Sequence, residues 1–187
     1  MKLLSYVVGT IVHPITTSQK VYSDKRKMGY AFAVTLVGSA LMALSELPAS
    51  VRTDSPHPWA LPFFVPLFLV IWAVPSLWIF VFCAMLKGKG KVDETMAVLA
   101  FPLALFMVVF ALVTYPENFL SSSGIVTQSA YKGVIEPGLL LAAAAWALTV
   151  SVFFVRTVHS FSHVKSVLAV LLAVVTGTPL FYFIAQI

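Results

Sequence analysis

Two histidines lie four positions apart in the segment RTVHSFSHVK, just before the last apolar run of the chain. Imidazoles separated by four residues share one face of a helix, where they could hold a transition metal together with a third ligand. This spacing makes His159 and His163 candidate metal ligands. The alternative is a pair of surface residues between Arg156 and Lys165, because the pattern identifies no remaining ligand. We expect no cofactor.

Lysines and glycines alternate in the stretch LKGKGKVDETM, which separates two apolar runs. A phosphate-binding loop would follow the pattern GxxxxGK[ST], which this stretch does not match. Its glycines are predicted to permit a tight reversal, and its lysines to lie against an anionic membrane leaflet. A second basic group, DKRK, precedes the first apolar run. The candidate lipid- or partner-binding residues are Lys25, Arg26, Lys27, Lys87, Lys89 and Lys91.

Carboxylates are scarce, and two of them lie next to apolar runs. Glu46 falls at the end of the first run and Glu136 at the start of the fourth. A carboxylate inside a membrane is costly unless it is paired or wet, so these residues are a candidate cation or proton site in an outer cavity. The alternative is a solvated helix end. Ser, His and Asp do not occur in a recognisable catalytic context, and HExxH is absent, so we expect no enzymatic activity.

The composition determines which elements position these residues. The chain has 187 residues, of which 60% are hydrophobic and 10% charged, whereas soluble domains carry about 25% charged residues. Continuous apolar runs long enough to cross a bilayer favour helices over membrane strands. We therefore predict an all-α, polytopic membrane protein with five transmembrane helices in a single domain, residues 1–187. The predicted spans are residues 28–47, 60–86, 97–115, 138–155 and 167–184.

Residues 1–27 precede the first span and contain apolar residues at helical spacing. Leu3 and Val7 form one row, and Leu4 and Val8 form its neighbour, which is typical of an amphipathic helix lying in the membrane interface. Packing of this helix against the bundle is an equal alternative. Pro14 should end the helix or begin a new one, since proline inside a helix removes a hydrogen bond.

Basic residues are distributed unequally among the loops. Of the 12 lysines and arginines, only Arg52 and Lys132 fall in the two loops opposite the N-terminal segment. Basic loops stay on the cytoplasmic side, so the N-terminus is predicted to be cytoplasmic and the C-terminus outside. The net charge of +5 then reflects loops that face anionic lipids. We expect no nucleic-acid binding, because no soluble groove is predicted.

Small side chains recur every four residues in the first, fourth and fifth spans. Such rows let helix backbones approach closely, and that packing drives association in lipid. We predict that these three helices form the centre of the bundle. The rows are Ala31, Thr35, Ser39 and Ala43; Ala143, Ala147 and Ser151; and Ala169, Ala173 and Gly177.

Three stretches, VHPITTSQKVYSDKRKMGYAFAV, KGKGKVDETMAVLAFP and WALTVSVFFVRTVHSFSHVKSVLAVLLAV, resemble parts of the Yip-domain family of five-span membrane proteins. The resemblance extends over nearly the whole chain and touches Pro14, Gly88, Gly90, Pro102 and Trp146. Eukaryotic members are associated with small trafficking GTPases and vesicle traffic, and this chain lacks their long polar N-terminal extension. It is similar to a prokaryotic member, which implies the cytoplasmic (inner) membrane and a fold more than an activity.

Two classes of function remain for such a protein. We expect a non-enzymatic membrane scaffold or adaptor that organises anionic lipids or a protein partner on its cytoplasmic face, either alone or as a homo-oligomer. The alternative is a small channel or carrier for an ion or small solute through the helix bundle. Polar residues converging inside the bundle would favour transport, whereas a dry and closely packed bundle would favour the scaffold.

Overall fold

The computed structural model describes residues 2–50, 61–122 and 134–184, and these residues form seven α-helices. The predicted all-α class is confirmed for this part of the chain. Each of the five longer helices overlaps one of the predicted apolar runs. The helices are α1 (Lys2–Val12), α2 (Pro14–Ser23), α3 (Lys27–Ser50), α4 (Leu61–Met85), α5 (Val92–Ser122), α6 (Glu136–His159) and α7 (His163–Ile184).

Three of these helices are long and apolar enough, over their described residues, to cross a membrane. The crossing segments are Lys27–Ser45, Val92–Pro116 and Glu136–His159. The other two long helices contribute shorter described apolar stretches, Trp72–Met85 in α4 and His163–Gly177 in α7. The helices therefore fit a membrane protein by length and composition.

The boundaries of α5 differ from the predicted span, residues 97–115. The helix starts at Val92 because its first turn holds two carboxylates, Asp93 and Glu94, at the positive end of the helix dipole. Glu94 Oε2 also accepts a hydrogen bond of 3.1 Å from the backbone N–H of Lys91, as in one half of a capping box. At its other end the helix continues through Pro116 to Ser122.

The N-terminal segment contains two helices, and the second begins at Pro14, as one of the two predicted alternatives has it. Pro14 takes the first position of α2, where its missing N–H has no partner to lose. One face of α1 packs against the bundle and buries Tyr6 and Thr10. An apolar row opposite this face remains exposed, with Leu4 at 69% and Val8 at 50%. The alternative that α1 packs against the bundle is confirmed, and a position in the membrane interface stays a prediction for its exposed face.

The centre of the bundle is α5, which packs against α1, α2, α3, α4 and α6. Residues 97–101 of α5, with the sequence AVLAF, are fully buried. The prediction that the first, fourth and fifth spans form the centre was wrong. Among the three crossing segments, that of α5 is the most buried.

The small residues of α3 lie at its contact with α5, the most extensive contact between two helices in the described part of the chain. Ala31, Thr35, Ser39 and Ala43 are all buried. The backbones of α3 and α5 approach closely at Gly38, where an added Cβ would lie 3.1 Å from the carbonyl oxygen of Ala104.

The other two rows of small residues are buried along most of their length. Ala147 and Ser151 are buried in α6, whereas Ala143 is half-buried. In α7, Ala169 and Ala173 are buried. Gly177 faces Trp78 of α4, with ordinary van der Waals space for a Cβ.

Candidate functional site

Three turns of the chain meet at one end of the bundle, which we call the basic end. Lys27 Nζ lies 3.4 Å from Glu94 Oε1 and joins the start of α3 to the start of α5. The backbone N–H of Lys89 donates to the carbonyl of His159 at 3.4 Å and joins the α4–α5 turn to the end of α6. The exposed cations of the basic end are Lys2, Lys20, Lys25, Arg26, Lys87, Lys89, Lys91, Arg156 and Lys165.

Part of the basic end forms a cleft of about 700 Å³ between the start of α1, the end of α2 and the start of α3. We call it the N-terminal cleft. Four of its lining side chains are cations and one is a carboxylate. The lining residues are Lys2, Tyr6, Lys20, Ser23, Asp24, Lys25, Arg26 and Tyr30.

The carboxylate of the cleft, Asp24, is already engaged by the protein. Its Oδ1 accepts a 2.8 Å hydrogen bond from the backbone N–H of Arg26, and its Oδ2 accepts one of 2.7 Å from the Tyr6 hydroxyl. These two donors, together with the charges of Lys2 and Arg26, hold the pKa of Asp24 below its usual value. Burial and the bond to Asp24 raise the pKa of Tyr6 to about 12. At neutral pH the pair therefore consists of a phenol donor and an ionised acceptor.

The candidate residues Lys25, Arg26 and Lys27 separate into two kinds. Lys25 and Arg26 are exposed and line the cleft. Lys27 is 17% exposed and pairs with Glu94, which is exposed to the same extent. Its ammonium group also donates to the carbonyl of Tyr22 at 3.1 Å and lies 4.9 Å from the centre of the Tyr22 ring. Lys27 therefore connects helices, whereas its two neighbours face solvent.

The other basic region is the turn from Leu86 to Lys91, which we call the glycine–lysine loop. Lys87 has a left-handed φ of 62°. Its N–H donates to the carbonyl of Ala84, and the N–H of Gly88 donates to that of Cys83, which together form the Schellman arrangement that ends α4. The left-handed residue of this turn is therefore a lysine, and the two glycines lie in a tight reversal, as predicted.

The glycines are needed because His159 lies against them. A Cβ on Gly88 would collide with His159 Nδ1 and would lie 2.9 Å from the carbonyl oxygen of Cys83. A Cβ on Gly90 would collide with Val158 and would lie 3.0 Å from His159 Cε1. Close approach of the end of α6, not backbone conformation, therefore requires glycine at both positions.

His159 is 1% exposed, and both of its ring nitrogens have partners. The N–H of Gly90 donates to Nδ1 at 3.3 Å, so Nδ1 is the acceptor. Nε2 lies 2.9 Å from the hydroxyl of Thr95, which itself donates to the carbonyl of Lys91. This network is satisfied when the proton is on Nε2. Through these two bonds His159, the last residue of α6, connects the glycine–lysine loop to Thr95 of α5.

The premise of the metal-site prediction was wrong, because His159 and His163 do not lie on one helix. The first ends α6 and the second begins α7. His163 is exposed, with its ring 6.1 Å from that of Phe153. Among the residues that the structure describes, His, Cys, Asp and Glu form no group of three that could hold a metal. Metal binding by the pair stays a prediction.

The predicted outer carboxylate site falls partly outside the structure. The side chain of Glu46 lies outside the described residues. Glu136 is half-buried in the first turn of α6, where a carboxylate favours the positive end of the helix dipole.

Six residues that line the N-terminal cleft were not among the predicted site residues: Lys2, Tyr6, Lys20, Ser23, Asp24 and Tyr30. Lys2 and Tyr6 are four positions apart on α1, so their common face was a usable signal. Lys20 and Asp24 are also four positions apart, but Asp24 follows the end of α2, so its place in the cleft depends on how α2 turns into α3.

Comparison with known proteins gives a family and no individual relative. No curated protein and no solved structure matches the chain. The family described as the Yip1 domain matches residues 8–185, which include all seven helices in whole or in part. This match confirms the resemblance found in the sequence and agrees with the apolar helices. The chain belongs to the Yip1 domain family and is a membrane protein of that family.

Proposed function

We propose that this protein is a non-enzymatic membrane scaffold that organises anionic lipids through its basic end. The observation that supports the proposal is the unequal use of charges there. Asp24 and Glu94 make hydrogen bonds and ion pairs within the protein, whereas the cations of the N-terminal cleft and the glycine–lysine loop are exposed. Exposed cations next to apolar helices are attracted to anionic headgroups.

In this proposal all five long helices span the membrane of a prokaryotic cell. The N-terminus and the basic end are cytoplasmic, and the C-terminus is outside. Support for five spans comes from α4 and α7, which are 25 and 22 residues long and apolar, since about 20 apolar residues cross a bilayer. Support for the orientation comes from the basic residues in and beside the α2–α3, α4–α5 and α6–α7 turns, since basic loops stay on the cytoplasmic side.

The packing of the bundle favours a scaffold over a channel. The helix at the centre, α5, presents fully buried apolar side chains to its neighbours. One observation favours the alternative of a small carrier: the hydroxyls of Thr35 and Ser76 are buried and, in the described part of the chain, have no hydrogen-bond partner. A solute could supply that partner, but so could relaxation of each hydroxyl onto its own helix.

Neutralising the basic end tests the proposal. Each cation near an anionic surface contributes about 1 kcal/mol, so Gln at Lys25, Arg26, Lys87 and Lys89 together should lower retained anionic lipid by at least about tenfold. Native mass spectrometry of protein released from mixed anionic and neutral membranes measures this ratio. The control variant exchanges Lys and Arg at the same four positions and keeps the charge.

Equal lipid retention by the Gln variant and the charge-preserving control would contradict the proposal. Proteoliposomes test the alternative function. Ion or solute flux that is present in the wild type and disappears in Thr35→Val would replace the scaffold with the carrier.

A further inference from the structure

We propose that the N-terminal cleft is a discrete binding site for one phosphate-bearing anion, with a lipid headgroup as its source. The inference rests on the proposed function and makes it more specific. A scaffold could attract lipids through a diffuse positive field alone, whereas this cleft would select one phosphate group at one place. The cleft's volume, the state of its charges and its position beside α1 support the inference.

The cleft has the dimensions of a ligand site. Its volume of about 700 Å³ falls within the range of roughly 300–1,000 Å³ that is usual for small-molecule sites. Three chain segments form its walls, and each of them contributes a cation. Lys2 lies on α1, Lys20 in the last turn of α2, and Arg26 directly before α3.

The cations of the cleft are poorly compensated. Lys2 lies 3.8 Å from Asp24 Oδ2, at the long limit of an ion pair. Among the described residues, Lys20, Lys25 and Arg26 make no ion pair. Asp24 itself is held by Tyr6 and by the backbone of Arg26. Like charges gathered around one concave surface repel each other, and an anion that enters removes that repulsion.

The types of these side chains favour phosphate. A guanidinium group can donate two parallel hydrogen bonds to phosphate oxygens, and lysines add point charges around it. Arg26 and Lys25 are exposed and adjacent in sequence, and Lys20 lines the same cleft. The arrangement therefore offers one forked donor and several ammonium groups to a single anion.

The glycine–lysine loop does not offer an equivalent site, although it resembles a phosphate loop more closely in sequence. The backbone N–H groups of Lys87, Gly88, Lys89, Gly90 and Lys91 all donate within the protein. A phosphate cradle needs free N–H groups, so only exposed lysine side chains remain there.

The position of α1 favours a lipid over a soluble phosphate compound. One side of this helix contributes Lys2 and Tyr6 to the cleft. Its other side exposes the apolar residues Leu4, Val8 and Ile11. A helix with one polar side and one exposed apolar side lies in the membrane interface, at the depth of the headgroups. The cleft would therefore open where lipid phosphates are concentrated.

A titration with a phosphomonoester lipid tests this site. The full-length protein is placed in phosphatidylcholine nanodiscs, phosphatidic acid is added, and native mass spectrometry counts the bound phosphatidic acid molecules. We expect one tightly bound molecule per chain. Lys25→Gln combined with Arg26→Gln should weaken its affinity by about tenfold or more, because charge-assisted hydrogen bonds are lost.

A second double variant, Lys87→Gln with Lys89→Gln, removes the same charge from the glycine–lysine loop. It should weaken the tight site less than the cleft variant does, because neither Lys87 nor Lys89 lines the cleft. Circular dichroism checks that both double variants are folded. Arg26→Lys keeps the charge but not the fork, and its affinity should lie between those of the wild type and the cleft variant.

The outcomes separate the site from the general function. Equal weakening by the two double variants would overturn the discrete site and leave the diffuse scaffold standing. Absence of any preference for phosphatidic acid over phosphatidylcholine would overturn the scaffold. A parallel calorimetric titration with inorganic phosphate then decides the rest. If inorganic phosphate binds and the binding depends on Lys25 and Arg26, the cleft is an anion site whose ligand is a soluble phosphate compound. If inorganic phosphate does not bind either, the anion site is overturned as well.

Discussion

The two basic regions of this protein differ in what their backbones and carboxylates do. In the glycine–lysine loop the ring of His159 lies against both glycines, and the backbone N–H groups from Lys87 to Lys91 all donate hydrogen bonds within the protein. The N-terminal cleft is open, and its carboxylate is held by Tyr6 while its cations face solvent. Similar sequence composition therefore yields a structural joint in one place and a candidate ligand site in the other. What distinguishes them is what lies beside the lysines: a buried histidine ring in the loop, and an open volume of about 700 Å³ in the cleft.

The largest effect is expected when a side chain is added to the glycine–lysine loop at the place where His159 lies against it. Gly88→Ala would place a Cβ against the His159 ring and 2.9 Å from a backbone oxygen, so the end of α6 must move. We expect a loss of about 2–3 kcal/mol in the free energy of unfolding, as for overpacked cores. Unfolding by SDS in mild detergent micelles measures it.

Gly29→Ala is the matched control for that variant, because an added Cβ at Gly29 in α3 meets nothing within 4 Å. Alanine in a helix is more favourable than glycine by about 0.5–1 kcal/mol, so this variant should be as stable as the wild type or slightly more stable. A Gly88→Ala protein as stable as Gly29→Ala would mean that His159 does not close the loop.

Removing the hydrogen bonds of His159 while keeping a ring should open the loop with a smaller effect. His159→Phe leaves the N–H of Gly90 and the hydroxyl of Thr95 without their partner. We expect a loss of about 1–2 kcal/mol and faster amide hydrogen exchange at Gly90, measured by mass spectrometry. His163→Phe, at the exposed start of α7, should change neither quantity. Unchanged exchange at Gly90 in His159→Phe would contradict the assignment.

The smallest effect is expected in the cleft, where one hydrogen bond can be deleted without a change in volume. Tyr6→Phe removes the donor to Asp24 Oδ2 and should cost about 1 kcal/mol. Because the folded pKa of Tyr6 is raised to about 12, its contribution is complete below the unfolded value of about 10 and disappears as the pH rises through 12. Tyr22→Phe, whose ring contacts Lys27, is the control.

Tyrosinate absorbance during alkaline titration measures this pKa directly. The wild type should show a tyrosine that ionises near pH 12, and Tyr6→Phe should not. Asp24 gives the opposite dependence. Its pKa is lowered in the folded protein, so its contribution is present above the unfolded value of about 3.9 and is lost as the pH falls through the folded value. A late-ionising tyrosine that persists in Tyr6→Phe would contradict the Tyr6–Asp24 pairing.

Properties that depend on neighbouring residues could be predicted from the sequence. The long helices follow from continuous apolar runs, the start of α2 from Pro14, and the charged first turn of α5 from Asp93 and Glu94. In each case the cause lies within a few positions of the effect, as with helix dipoles and proline geometry.

The remaining features depend on contacts between distant positions. Lys27 pairs with Glu94, 67 positions away, so three consecutive basic residues that look equivalent in sequence have different roles. His159 meets Gly90 across 69 positions, at a place where its ring is buried. Neither partner can be chosen from sequence spacing, because several helices could supply it.

The contact between α2 and α6 has a consequence for biosynthesis. Ser18 of α2 bonds to Thr157 of α6 at 2.8 Å, across 139 positions. During translation the N-terminal helices emerge first, but their docking partner emerges after almost all of the bundle. A nascent chain that ends before α6 therefore has the residues of the cleft without one of the helices against which α2 packs. The residues of the cleft are therefore synthesised before α6, and α2 reaches its final packing only after α6 has been made.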